Sequence, residues 1–126
     1  MKNLVTILFI GFLTISLSAQ EAKAGIEFKT DVIEYGEIAK GSDGVRKFEF
    51  TNTGTAPLII AETYGSCGCT VPTKPKDPIA PGATGNISVK YDTNRVGPFR
   101  KTVTVLTNTS KMPISLKIKG EVLGDK

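Results

Sequence analysis

Two cysteines one residue apart, Cys67 and Cys69 around Gly68, are the residues of this 126-residue chain best equipped for chemistry, and there is no histidine to act with them. Three readings of the pair stay open. The first is a local disulfide. Gly68 lets the backbone fold tightly enough to approach the Cα separation such a bond needs, and an oxidising compartment would preserve it. Chain entropy assigns so small a ring only about 1.5 kcal/mol before strain is subtracted, so the bond would fix the shape of one loop rather than stabilise the domain. The second reading is thiol–disulfide exchange, because a tiny ring is readily opened by an attacking thiolate. Lys74 and Lys76 would lower a thiol pKa if they folded back toward the loop, although neither a histidine nor a helix N-terminus is there to help. The third is a soft metal. Two thiolates can hold Cu(I), which accepts few sulfur ligands, whereas a closed zinc site wants four ligands that one copy cannot supply from Cys and His.

The missing histidine removes Ser-His-Asp and Cys-His catalysis together with His-based zinc sites. Paired-carboxylate chemistry needs two acids converging in a cleft. Glu27, Glu49, Asp92 and Glu121 instead fall on outward strand positions or in turns, where acids are ordinarily solvated. No glycine-rich phosphate loop leads into a helix; the glycines are spent on turns. The expectation is a protein that is not an enzyme and needs no cofactor. Net charge is +4, of which the N-terminal Lys2 carries one, leaving +3 once that segment is removed. The remaining lysines are spread along alternating segments rather than clustered with aromatics, so nothing points to nucleic acid.

The elements that must position the cysteines begin after residue 20. Lys2 followed by the apolar run Leu4 to Leu17 and the small residues Ser18, Ala19, Ala22 and Ala24 reads as a signal peptide over residues 1–20, cut somewhere between 18 and 24. The run is shorter than the roughly 20 apolar residues that span a bilayer, so no membrane span is expected. No cysteine lies near the cut to carry a lipid. A periplasmic or secreted protein follows. About 105 residues then remain, enough for one domain with a real core, placed at 26–123.

That domain reads as strand throughout. Ile26 to Lys29 alternates, and Ile33 to Ile38 is a second short piece. Val45 to Thr51 puts Phe48 and Phe50 on one face and Lys47 and Glu49 on the other. Asn52-Thr53-Gly54 reads as a turn with a positive-φ position. Leu58 to Thr63, nearly all apolar at its start, reads as a central buried strand. Asn86 to Asp92, Phe99 to Thr107 and Ile114 to Val122 alternate in turn. Between them Pro72 to Pro81 mixes proline with lysine and reads as an exposed, stiff, extended loop. About seven strands, each with one apolar face, bury those faces by pairing two sheets, so the expected fold is an all-β, Ig-like β-sandwich, with a small closed barrel as competitor. The distant Cys pair and core Trp of antibody domains are absent.

Ser66-Cys67-Gly68-Cys69-Thr70, with Pro78-Ile79-Ala80-Pro81-Gly82 and then Ile87-Ser88-Val89-Lys90-Tyr91-Asp92-Thr93, resembles the bacterial family called domain of unknown function 1573. Phe50 to Gly54, Pro57 to Ile60, Tyr35-Gly36, Gly97 and Thr107-Asn108 fit the same pattern, which covers nearly all of the chain after the leader. Tyr35 stands where phenylalanine is expected. The resemblance implies an Ig-like sandwich of the kind also found in major sperm protein and cilia-associated domains, in an exported bacterial protein. The family carries no established activity, so it transfers no catalytic residues. The expectation is an exported, non-enzymatic module that binds a protein or cell-envelope component, with Thr70, Lys74 and Lys76 as contact residues and the Cys pair shaping the loop. Two alternatives differ in kind: thiol–disulfide or Cu(I) handling by Cys67 and Cys69, and a chaperone-like sandwich lending a strand to a partner.

Overall fold

A computed structural model of the chain describes residues 22–124; the leader expected over 1–20 lies outside them. Eight strands form among the described residues and no helix. They are β1 (Glu27–Phe28), β2 (Val32–Ala39), β3 (Val45–Thr51), β4 (Ile60–Gly65), β5 (Thr70–Thr73), β6 (Thr84–Tyr91), β7 (Gly97–Thr107) and β8 (Ser110–Leu123). One sheet runs β1-β3-β6-β5 and the other β2-β8-β7-β4. Every pairing is antiparallel except β2 with β8.

The period-two patterns decide what each sheet buries. Phe48 and Phe50 of β3 and Ile87, Val89 and Tyr91 of β6 face Val103 and Val105 of β7 and Leu116, Ile118 and Val122 of β8, all buried. Lys47, Glu49, Lys90 and Lys117 stand outside on the same strands. Two sheets, each greasy on one side, close on a shared core. This is the expected sandwich. At one edge Tyr35 packs edge-on to Phe99, which stacks on Tyr91 with ring centroids 3.8 Å apart. Arg46 caps the Tyr35 ring at 4.3 Å.

Three expectations are corrected. Leu58 to Thr63 is not a central strand. Leu58 makes a single bridge with Ile79, and β4 begins at Ile60 as the edge of its sheet. Alternation explains this, because Leu58 and Ile60 turn inward while Ile59 and Glu62 are exposed. The Asn52 turn uses no positive φ at Asn52, Thr53 or Gly54. Asn52 serves through its side chain, and Gly54 is glycine because a Cβ there would lie 2.1 Å from the Lys23 carbonyl. Finally, Pro72 to Pro81 is not loop from its first residue. Pro72 belongs to β5, an edge strand that tolerates its missing N–H, and Ile79 is held by Leu58.

Candidate functional site

The Cys-Gly-Cys segment forms the tight connection between β4 and β5, the edge strands of the two sheets. Gly65 ends β4 where a Cβ would meet the Thr70 carbonyl at 2.1 Å, so only glycine lets the chain turn back this closely. Ser66 then clamps the turn to β7: its N–H donates to the Thr102 carbonyl (2.9 Å) and its Oγ accepts from the Thr102 N–H (3.2 Å). Cys67 and Cys69 are joined as a disulfide with their Cα atoms 5.2 Å apart. The Cys67 carbonyl accepts from the Thr70 N–H (3.2 Å) and the Cys69 carbonyl from the Asp92 N–H (2.9 Å). The loop is thus held by its backbone on both sides.

The two sulfurs differ in surroundings. Cys69 is 6% exposed and belongs to the core, while Cys67 is half-buried against it. Between them and the interior lies Thr70, 2% exposed, whose Oγ1 is 3.8 Å from Cys67 Sγ and 3.7 Å from Cys69 Sγ. In the disulfide form neither sulfur is a thiolate, so this form offers no soft-metal ligand.

Two further connections gather at the same end. In the turn over 41–44, Gly41 N–H donates to the Thr93 carbonyl (3.1 Å), and Thr93 Oγ1 donates to the Ser42 carbonyl (2.6 Å). The carbonyl of Gly44 accepts both the Tyr91 N–H (3.0 Å) and the Tyr35 hydroxyl (2.7 Å). A Cβ at Gly44 would sit 2.1 Å from the Tyr91 carbonyl, which again demands glycine. Burial pushes the Tyr35 phenol up to about 12, with the Arg46 cation opposing the rise. Asp43 and Asp92 each turn inward on their own loops, accepting from the Val45 N–H (2.9 Å) and the Asn94 N–H (3.0 Å). Residues 41–45 and 90–94, with Gly68, Cys69 and Val71, line a polar cleft of about 640 Å³. Val71 is 54% exposed, and Val96 and Leu123 are exposed at this end too.

The structure does not bring the expected contact residues together. Thr70 is buried, which corrects its reading as a surface contact: on β5 it pairs with Tyr91 and faces inward, so the next residue, Val71, is the exposed one. Lys74 and Lys76 belong to the connection at the opposite end of the sandwich. Lys74 Nζ donates to the Ala61 carbonyl, so the condition that it fold back onto the cysteines is not met. Sequence reasoning missed Ser66, Thr102 and Asp92 as the frame of the loop. The serine and the aspartate sit inside the quoted motif runs, but no local signal says that Thr102 reaches Ser66.

Residues 26–122 match the family described as Protein of unknown function (DUF1573). The chain belongs to this family. No curated protein matches it. Among solved structures it is similar to a protein of unknown function from Porphyromonas gingivalis W83, with 15% identity and a TM-score of 0.69 over 79% of this chain and 47% of that one. The chain therefore spans about half the length of that relative. It is also similar to an ASH/PapD-like domain of human CEP192, with 11% identity and a TM-score of 0.61 over 80% of this chain and 87% of that one. A third is the CsuC–CsuE chaperone–tip adhesion subunit pre-assembly complex of Acinetobacter baumannii Csu pili, with 12% identity and a TM-score of 0.56 over 80% and 57%. At these identities the likeness is one of fold, and the fold is the PapD-like, Ig-like sandwich. Among the described residues no helix is long and apolar enough to cross a membrane.

Proposed function

We propose that this DUF1573 chain is an exported, non-enzymatic module that binds a protein or cell-envelope partner through the end of the sandwich carrying the Cys loop. The observation that carries the reading is the cleft of about 640 Å³, where three tied connections meet beside the exposed Val71. Binding residues concentrate on loops held by a rigid scaffold, and pockets of this size suit a partner's inserted side chains. At the opposite end the edge strands β4 and β5 of the two sheets are tied by the Lys74–Ala61 bond. Export is supported by Lys2 and the apolar run Leu4 to Leu17. A non-enzymatic role is supported by the absence of histidine and by Glu27, Glu49, Asp92 and Glu121 all being exposed.

Photo-crosslinking in cells tests the reading. A crosslinking residue at Val71 should give one discrete adduct, a crosslinker at Lys76 should not, and Val71→Asp should abolish capture by a crosslinker placed at Gly68. Equal capture from Val71 and Lys76, or capture indifferent to Val71→Asp, sinks the assignment of this end. Fractionation of cells expressing the full chain tests export: the protein should appear outside the cytoplasm and shortened at its N-terminus.

A further inference from the structure

We propose that Cys67–Cys69 is a thiol-exchange site, in which a partner dithiol attacks Cys67 and the Thr70 hydroxyl stabilises the departing Cys69 thiolate. The starting point is Thr70. It is 2% exposed, and among the described residues the hydrogen-bond neighbours of its Oγ–H are the two sulfurs, at 3.7 and 3.8 Å. A disulfide sulfur is a weak acceptor, whereas a thiolate is a charged one. A buried hydroxyl with only weak acceptors gains a far better one when the bond opens. Hydrogen bonding to the charged form favours that form, so Thr70 opposes the rise that apolar burial imposes on the Cys69 thiol. This supplies what the chain otherwise lacks, since no histidine stands near the pair.

Burial sets the direction of attack. Cys67 is half-buried and Cys69 is 6% exposed, so an incoming thiolate meets the Cys67 sulfur first. Space is available beside it: a Cβ on the neighbouring Gly68 would meet nothing within 4 Å. The frame also survives opening. Ser66, the Cys67 carbonyl and the Cys69 carbonyl are tied to Thr102, Thr70 and Asp92 through backbone groups, independently of the sulfur bond. After reduction the thiols stay neighbours and can close again. Stability does not explain the bond, because closing so short a ring removes little entropy from the unfolded chain.

The step balances. One thiolate of the dithiol bonds to Cys67 Sγ as the Cys67–Cys69 bond breaks, and its electron pair leaves on Cys69 Sγ. The second thiolate of the dithiol then attacks the mixed disulfide and releases Cys67 as a thiolate. The dithiol is oxidised to a disulfide, the cysteine pair is reduced by two electrons, and the dithiol's two protons pass to the two cysteine sulfurs. The reverse sequence oxidises a partner dithiol through the same mixed disulfide.

The test uses the folded chain with dithiothreitol as the dithiol, thiol alkylation as the quench and intact mass as the readout. Native protein should be reduced without denaturant. In the reduced protein, Cys69 should be alkylated with a lower pKa in the wild type than in Thr70→Val. Cys69→Ser treated with oxidised glutathione should trap a mixed disulfide on Cys67. Thr70→Val should slow native reduction about tenfold and Thr70→Ser should restore it, the scale expected of one hydrogen bond to a charged group. Reduction that requires denaturant, a Cys69 pKa unchanged by Thr70→Val, or a Thr70→Val rate equal to wild type each overturns the proposal. If Thr70→Val does not fold, native reduction of the wild type and the Thr70→Ser rate decide alone. None of these readouts depends on capture of a partner at Val71, so the two proposals fail separately.

Discussion

Replacing Asn52 by alanine should cost about 3 kcal/mol, a large share of the roughly 5–15 kcal/mol that holds a domain of this size. Asn52 is 0% exposed and bonds through all of its side chain. Its Oδ1 accepts the N–H groups of Gly25 (3.2 Å) and Gly54 (2.9 Å), and its Nδ2 donates to the carbonyls of Ala56 (2.8 Å) and Ile79 (2.9 Å). Alanine releases all four. The Ile79 carbonyl keeps the Leu58 N–H at 2.8 Å, so three groups are left without a partner. Each orphaned buried group costs about 1–3 kcal/mol. Because Gly25, Gly54 and Ala56 are only half-buried, the low end applies to each. The assay is urea unfolding without reductant, comparing midpoints at unchanged slope; thermal melting should fall by roughly 12–24 °C. Asn108→Ala is the internal control. Asn108 makes the same kind of bridge, from the Ile59 N–H (2.8 Å) to the Pro57 carbonyl (3.0 Å), but from an exposed position where water replaces what is lost. Its cost should stay under about 1 kcal/mol. Equal losses for the two variants, or a loss under about 1 kcal/mol at Asn52, would refute the argument that burial of the orphaned groups sets the cost.

Gly65→Ala should destabilise by about 2 kcal/mol or more, since its Cβ would press on the Thr70 carbonyl, whereas Gly68→Ala should change stability by less than about 0.5 kcal/mol; chemical unfolding separates the two. Reducing the disulfide should lower stability by no more than about 1.5 kcal/mol, measured by urea unfolding with and without dithiothreitol. Tyr35 gives a pH dependence. Its folded pKa is raised to about 12, so its contribution is complete below the unfolded value near 10 and is lost as pH climbs through 12. That amounts to about 2–3 kcal/mol. The difference in stability between wild type and Tyr35→Phe should therefore narrow across that window, and a constant difference would count against it.

Strand content was legible because alternation is a local signal. Val45 to Thr51 coincides with β3, and Ile87, Val89 and Tyr91 are buried as their spacing requires. Position within a sheet was not legible. Leu58-Ile59-Ile60 looks like a central strand by composition, yet it lies at an edge because pairing partners are chosen by the rest of the chain. Four residues were enough to hide β5, since Pro72 and the lysines after it carry loop composition while the pairing with β6 is non-local. Met112, apolar by type, is 73% exposed on β8, so residue type alone does not say which strand face is buried. The site suffered most from this limit. Spacing located the cysteines, but their frame comes from Thr102 and Asp92, each distant in sequence.

A single step of strand alternation divides the two roles assigned to this loop. On β5, Thr70 pairs with Tyr91 and faces the sulfurs from inside, while Val71 pairs with Lys90 and faces the cleft from outside. A partner seated on Val71 would therefore lie against Gly68, the open side of the ring, while Thr70 acts from the side no partner can reach. This separates the effects of the two substitutions. Val71→Asp should remove capture and leave the Cys69 pKa where it was. Thr70→Val should raise that pKa and leave capture at Val71 intact in the oxidised protein. A variant at either position that moved both readouts together would mean that the loop changes shape as a unit, and that the backbone bonds from Thr102 and Asp92 do not hold it as described.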